Sequence, residues 1–291
     1  MHPLPLIIVL ISTFMHAGWN LLARQQRGRD IFLPLLLFVA GLGLLPVLLA
    51  EWISDPILPA VWLHLLVTGV FQAMYYLGLL QGYKNGDFTV VYPVARALPV
   101  LVLALVDWGR GQPPSLWGWL GMVLISVGCL LIPRQSWRDF AWARYGNVIM
   151  AWVLLAASGT VGYTLVDRAA AEMMRRGWDT AVRYAIFEFA STFLLYWLAL
   201  KLLRYPTWQL PERAIWLRAM LAGLFMFSAY ALVLWAYQLV IHVSYVVALR
   251  QFSIVLGVIA GTLLFQEPAP RWRITMALLI VIGVLLISVG G

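Results

Sequence analysis

The chain is short of charge. Only 11% of its 291 residues are Asp, Glu, Lys or Arg, where a soluble domain carries about 25%. That shortage excludes the one or two water-soluble domains that length alone suggests. Cysteine occurs once, as Cys129, so an intramolecular disulfide is excluded. No His/Cys/Asp cluster has metal-ligand spacing, so no metal is assigned. A Walker loop is missing, which speaks against ATP-driven transport by this chain alone. So is a nucleophile elbow, and with no catalytic cluster the chain is not read as an enzyme and needs no cofactor. Its net charge of +8 lies singly or in small groups between apolar segments. Those are juxtamembrane arginines rather than a nucleic-acid surface.

What is present is hydrocarbon. Apolar residues make up 63% of the chain, and its mean hydropathy is +0.87. About 20 apolar residues span a bilayer core. Ten runs meet that yardstick, near 4–23, 31–51, 60–82, 88–107, 115–133, 147–167, 180–200, 214–239, 243–265 and 272–290. Breakers and charges separate them, among them "SDPILP", "YKNGD", "GRGQPPS" and "RYPTWQLPER". The first run has no basic segment before it, and Arg24, Arg27 and Arg29 follow it, so it is read as a retained helix.

The runs repeat. "GVFQAMYYLGLLQGYKNGDFTVVYPVAR" (Gly69 to Arg96) aligns without a gap on "GLFMFSAYALVLWAYQLVIHVSYVVALR" (Gly223 to Arg250) at an offset of 154. Gly69 meets Gly223, Phe71 meets Phe225, Tyr76 meets Tyr230 and Arg96 meets Arg250. "HAGWNLLAR" aligns on "TVGYTLVDR" at an offset of 144, pairing Gly18 with Gly162 and Trp19 with Tyr163. "SVGCLLI" aligns on "VIGVLLI" in the fifth and tenth runs. Shared Gly, Tyr and Arg in register point to a duplicated five-helix unit, residues 1–140 and 141–291. Because five is odd, the second copy enters the membrane from the opposite side. The fold class is all-α: ten transmembrane helices as two inverted five-helix repeats, a hallmark of secondary transporters. Basic residues crowd the odd-numbered connections, which puts those in the cytoplasm and both termini outside.

Several polar residues lie within apolar runs. His16, Trp19 and Asn20 are i, i+3 and i+4, with Ser12 a turn earlier, so they share one helix face. Their counterparts are Thr160, Tyr163 and Thr164. The stripe either lines a cavity or bonds helix to helix. Arg96 and Arg250 are the strongest candidates. An arginine at a helix centre costs roughly 2.5–3.5 kcal/mol, so each faces an anionic group, a structural partner or the interface. Glu188, read as the only carboxylate so deep, binds a substrate ammonium, carries a coupling proton, or pairs with Arg183 or Arg250. Tyr76 and Tyr230 are singled out because the repeat pairs them, beside Gln72 and Tyr75. Gly78 and Gly82, and Gly257 and Gly261, have GxxxG spacing and are read as helix-packing positions.

With "HAGWN", "YPVAR", "VALR" and "FQEPAP" in these places, the whole chain resembles the drug/metabolite transporter (DMT) superfamily, EamA type. The last string resembles that family's short Glu-containing turn, at Glu267; the first copy has "GQPPS" there and lacks the acid. "HAGWN" also resembles a branch associated with phosphonate use. The resemblance implies a transporter of small organic solutes, often an amino-acid or metabolite exporter, with its site between the halves. The leading expectation is a secondary transporter of a small anionic or zwitterionic metabolite, amino acid-like or phosphonate-like, in a bacterial-type inner membrane. The alternative is a translocase (flippase) for a phosphate-bearing lipid headgroup. The partners expected are the small-molecule substrate, the lipid bilayer, a coupling proton and, if the chain is not a monomer, a second copy.

Overall fold

The computed structural model describes residues 2–24, 30–85, 88–132, 134, 148–205, 213–265 and 270–291. They form α1 (Pro3–Arg24), α2 (Phe32–Ile53), α3 (Leu58–Asn85), α4 (Phe88–Gly109), α5 (Leu116–Leu131), α6 (Val148–Met173), α7 (Trp178–Leu202), α8 (Arg213–Tyr237), α9 (Val243–Leu249), α10 (Phe252–Phe265) and α11 (Pro270–Gly290). Each of the ten apolar runs falls on helix. Eight stretches of the described residues are long and apolar enough to cross a membrane, and α5 is a shorter apolar helix. Glu267 lies outside the described residues.

In hydrocarbon every backbone polar group needs an internal partner, and a helix supplies one everywhere but at its ends. Here side-chain oxygens serve four helix starts. Asp30 Oδ1 accepts from the amides of Phe32 and Leu33, at 2.8 and 3.3 Å, at the head of α2. Glu51 Oε2 accepts from Ile57 and Leu58, both at 2.9 Å, at the head of α3. Asp107, buried near the end of α4, accepts from the Ser244 amide at 3.0 Å and so starts α9. Ser115 Oγ accepts from the Gly118 amide at 2.9 Å and caps α5.

The ninth run departs from the sequence expectation. It is two helices, α9 and α10, interrupted at Arg250 and Gln251. In a regular helix the Gln251 amide bonds to the Val247 carbonyl. Here the Gln251 side-chain Nε2 takes that carbonyl at 2.9 Å, and its backbone N–H moves to Ala248 at 3.0 Å. Ser253 and Ile254 likewise bond three residues back, to Arg250 and Gln251. Side-chain competition for backbone carbonyls thus tightens one turn and breaks the helix. Arg250 ends α9 rather than lying two turns inside a continuous helix.

Packing joins the two halves throughout. α1 lies on α8, α3 on α6, α2 on α7, α4 on α9 and α5 on α11. Glycines set the closest approaches. A Cβ at Gly78 would lie 2.6 Å from the Trp152 carbonyl oxygen, and one at Gly159 would lie 2.6 Å from that of Phe71. At the α5–α11 crossing, Gly121 and Gly283 would each meet the other's carbonyl oxygen, at 2.6 and 2.5 Å. Gly82 lies against Val91 of α4, at 2.6 Å by the same measure. Gly261 is buried. Gly257 differs from the sequence expectation: a Cβ there would meet nothing within 4 Å, so it makes no close helix contact within this chain.

Candidate functional site

One face of α1 begins the site. The Trp19 indole N–H donates to His16 Nδ1 at 3.0 Å, with the rings edge to face at 5.2 Å. A ring nitrogen that accepts carries no proton, so the His16 imidazole is neutral with its hydrogen on Nε2. That Nε2 is buried and has no hydrogen-bond partner among the described residues. Helical spacing put His16 and Trp19 on one face, and the hydrogen bond turns the pair into a fixed donor.

His16 and Trp19 form one wall of a buried cavity of about 20 Å³. Gln72, Tyr75 and Tyr76 of α3 line it, as does Tyr163 of α6. Phe189 of α7, with Met226 and Tyr230 of α8, closes another side, and Arg250 enters from the helix break. Space of this size holds about one water. The aromatic wall is continuous: Tyr75 packs on Tyr163 at 5.8 Å, and Tyr163 packs on Tyr230 at 5.9 Å. The Tyr76 hydroxyl donates to Met226 Sδ at 3.2 Å.

Arg250 is buried, and its guanidinium carbon lies 5.6 Å from the Tyr230 ring centroid, a cation–π arrangement. Among the described residues it has no carboxylate within ion-pair distance. The site therefore presents a guanidinium and an imidazole N–H within aromatic walls. Those groups suit an acid oxygen, because both donate.

Of the candidates named from sequence, His16, Trp19, Tyr76, Tyr163, Tyr230 and Arg250 meet at this cavity. Arg96, Asn20, Thr164 and Glu188 do not line it. Arg96 Nε donates to Gln251 Oε1 at 3.1 Å, so the first half's arginine holds the break that frees the second half's. Asn20 Nδ2 donates to the His16 carbonyl at 2.6 Å, within its own helix. Ser12 and Thr160 do the same, to Val9 and Ala156. Thr164 is fully buried between helices.

Glu188 stands behind the wall, where its Oε1 accepts from Gln72 Nε2 at 2.6 Å. It does not pair with Arg183, which bonds to Glu51 at 2.9 Å and to Asp179 at 3.5 Å. Nor is it the only deep carboxylate: Asp167 is 0% exposed against 1% for Glu188, and Asp107 is 2% exposed. Asp167 accepts from the Tyr184 hydroxyl at 2.9 Å and from the Tyr230 hydroxyl. Its signal was in the sequence. Thr160, Tyr163, Thr164 and Asp167 run i, i+3, i+4 and i+7 along one face. Gln251, the other residue missed, is a buried amide next to a singled-out arginine, and no helical stripe marks it.

The described residues form an all-helical, multi-span membrane bundle with a polar, aromatic-walled centre fed by helices from both ends of the chain. Residues 3–134, a little under half of the chain, match the model of the EamA-like transporter family. The matched family is one of membrane transporters, and eight stretches of this chain's described residues are long and apolar enough to cross a membrane. A solved crystal structure with 17% sequence identity superposes with a TM-score of 0.72, covering 98% of this chain and 96% of that one. That likeness concerns the fold alone. Among curated proteins none matches the chain.

Proposed function

We propose that the chain is a secondary transporter for a small anionic or zwitterionic metabolite, amino acid-like or phosphonate-like, working by alternating access in the inner membrane. One observation carries the reading. The buried cavity holds two donors without an acid partner among the described residues, the Arg250 guanidinium and the His16 Nε2–H. An acid group is the complement of that pair, and the aromatic wall suits the rest of an organic solute. Room for about one water means that the site must widen to admit substrate. This fits a transporter between its two open states.

The helix packing supports two inverted halves, 1–140 and 141–291, joined at this site. Exchanging spans one to five with six to ten turns the α1–α8 contact into α3–α6, while α2–α7, α4–α9 and α5–α11 map onto themselves. Gly18 and Phe225 face each other, as do their sequence counterparts Gly162 and Phe71. The positive-charge bias supports termini outside the cytoplasm, and a topology reporter fused at Gly291 that lights up in the cytoplasm sinks that orientation.

Flux into liposomes, with a panel of radiolabelled amino acids and alkylphosphonates, tests the reading. The expected result is saturable uptake of at least one acid, reduced in Arg250→Ala and insensitive to ATP. Scrambling of a phosphate-bearing lipid probe with no solute flux would show instead that the donors hold a lipid headgroup.

A further inference from the structure

Two carboxylates lie one side chain behind the cavity wall. Tyr230 lines the cavity and donates its hydroxyl to Asp167, while Gln72 lines it and donates to Glu188. Tyr184, one helical turn before Glu188, donates to the other oxygen of Asp167. Asp167 and Glu188 act on each other electrostatically, and Arg250 acts on both. Neither has a cation within ion-pair distance among the described residues, and Glu188 Oε2 is buried without a hydrogen-bond partner.

Charge decides what such an arrangement holds. Two buried carboxylates facing one guanidinium cannot both be balanced by it, and unbalanced buried charge is strongly disfavoured. The other charged groups nearby are spoken for. Arg168, beside Asp167, bonds to Glu172 and to the Tyr237 carbonyl. Arg183, on the Glu188 helix, bonds to Glu51. From α3 and α8 the pair meets tyrosines: Tyr76, Tyr230 and Tyr237.

We propose that Asp167 and Glu188 form a proton-holding site that substrate never touches, linked to the cavity through Tyr230, Gln72 and Arg250. The empty protein holds one proton on the pair, and the remaining carboxylate balances Arg250. An acid that enters against Arg250 takes over that balance, and the freed carboxylate takes a proton from water. Anion and proton then occupy the protein together, and a singly charged acid crosses as a neutral load. This inference rests on the anion-binding reading above, but its first test needs no substrate.

That test is infrared difference spectroscopy of the purified full chain in lipid nanodiscs, at neutral pH and without added solute. A protonated-carboxyl C=O band is expected, and Glu188→Gln or Asp167→Asn should remove it. Tyr230→Phe deletes one hydroxyl and leaves the ring, so it should shift the band in a protein that stays folded. No band in the empty protein, or a band that ignores both Tyr230→Phe and the carboxyl variants, overturns the proposal even if flux is found. A band with these properties but no flux leaves the proton site standing and removes the transport reading. In the second arm, binding of methylphosphonate should draw about one proton from the medium, read with a pH dye. Proton release on binding overturns the coupling.

Discussion

Arg96 and Arg250 align in the sequence at an offset of 154 and make different contacts. Around Arg96 the fourth span runs on as one helix, and the side chain donates to Gln251 across the molecule. At Arg250 the ninth span breaks, and the side chain lies over Tyr230 at the cavity. Other matched positions diverge in the same direction. Ala23 aligns with Asp167, and Gln72 with Met226, so positions matched in sequence carry unlike groups around the cavity. A symmetric pair of arginines holds the same charge twice, whereas this pair holds one at the site and one at its support.

The largest expected effect tests that division. Charge-assisted hydrogen bonds are worth about 1.5–3 kcal/mol, so Arg250→Ala should weaken binding of a transported acid by roughly 10–150-fold. Arg96→Ala, at a residue that bonds to Gln251 and does not line the cavity, should cost less than about tenfold. Competition binding on the two variants checks the ratio, and equal losses would return both arginines to a single shared role.

A second comparison is steric. Gly18 and Gly162 are counterparts, each facing a counterpart phenylalanine. A Cβ at Gly18 would stand 3.3 Å from the Phe225 ring, whereas one at Gly162 would overlap the Phe71 ring. Gly162→Ala should therefore destabilise the chain by about 1–3 kcal/mol, and Gly18→Ala by less than about 1 kcal/mol. Thermal unfolding in one detergent ranks them, and the reverse order would mean that the α1–α8 seam is the tighter one.

The sequence carried the fold further than the site. The spans were legible because hydrocarbon demands long apolar helices, and every apolar run falls on helix. Six site residues were legible because helical spacing puts them on inward faces. What stayed hidden depends on partners across the bundle. Nothing local tells Arg96 from Arg250 until Gln251 is seen to bond with one and break the helix beside the other. Asn20 and Thr160 look like cavity polar groups, but they bond within their own helices. Asp167 is hidden for a different reason: the position aligned with it, Ala23, is apolar, so the alignment does not mark it.

A smaller effect concerns how α1 prepares its donor. Trp19→Phe keeps an aromatic wall but removes the N–H that fixes the His16 tautomer. One net hydrogen bond is worth about 1 kcal/mol, so acid binding should fall by roughly fivefold. Its counterpart wall residue fixes no tautomer, so Tyr163→Phe should fall less. Binding by both variants at one pH decides the order, and a Trp19→Phe protein that binds as well as wild type would show that His16 needs no such orientation.

The smallest effect separates the heads of the second helix in each half. α7 begins at Gly177 without a side-chain cap, its amide given to Gln238 Oε1 at 2.8 Å. α2 begins on Asp30, and burial pushes that carboxyl from 3.8 up to about 6, although the Phe32 and Leu33 amides and the Tyr196 hydroxyl pull it down. A carboxyl raised on folding binds more protons folded than unfolded between those two values. Its contribution is therefore complete below about pH 4, falls as pH rises through about 6 and stays flat above. The change is on the order of 1–3 kcal/mol. Asparagine caps as well as aspartate and does not titrate, so the stability of wild type relative to Asp30→Asn should decline from pH 4 to pH 6.5, by thermal unfolding of the full chain in detergent. A difference that grows with pH instead would mean that the folded state favours the ionised carboxylate, and that the amides and Tyr196 outweigh burial at the head of α2.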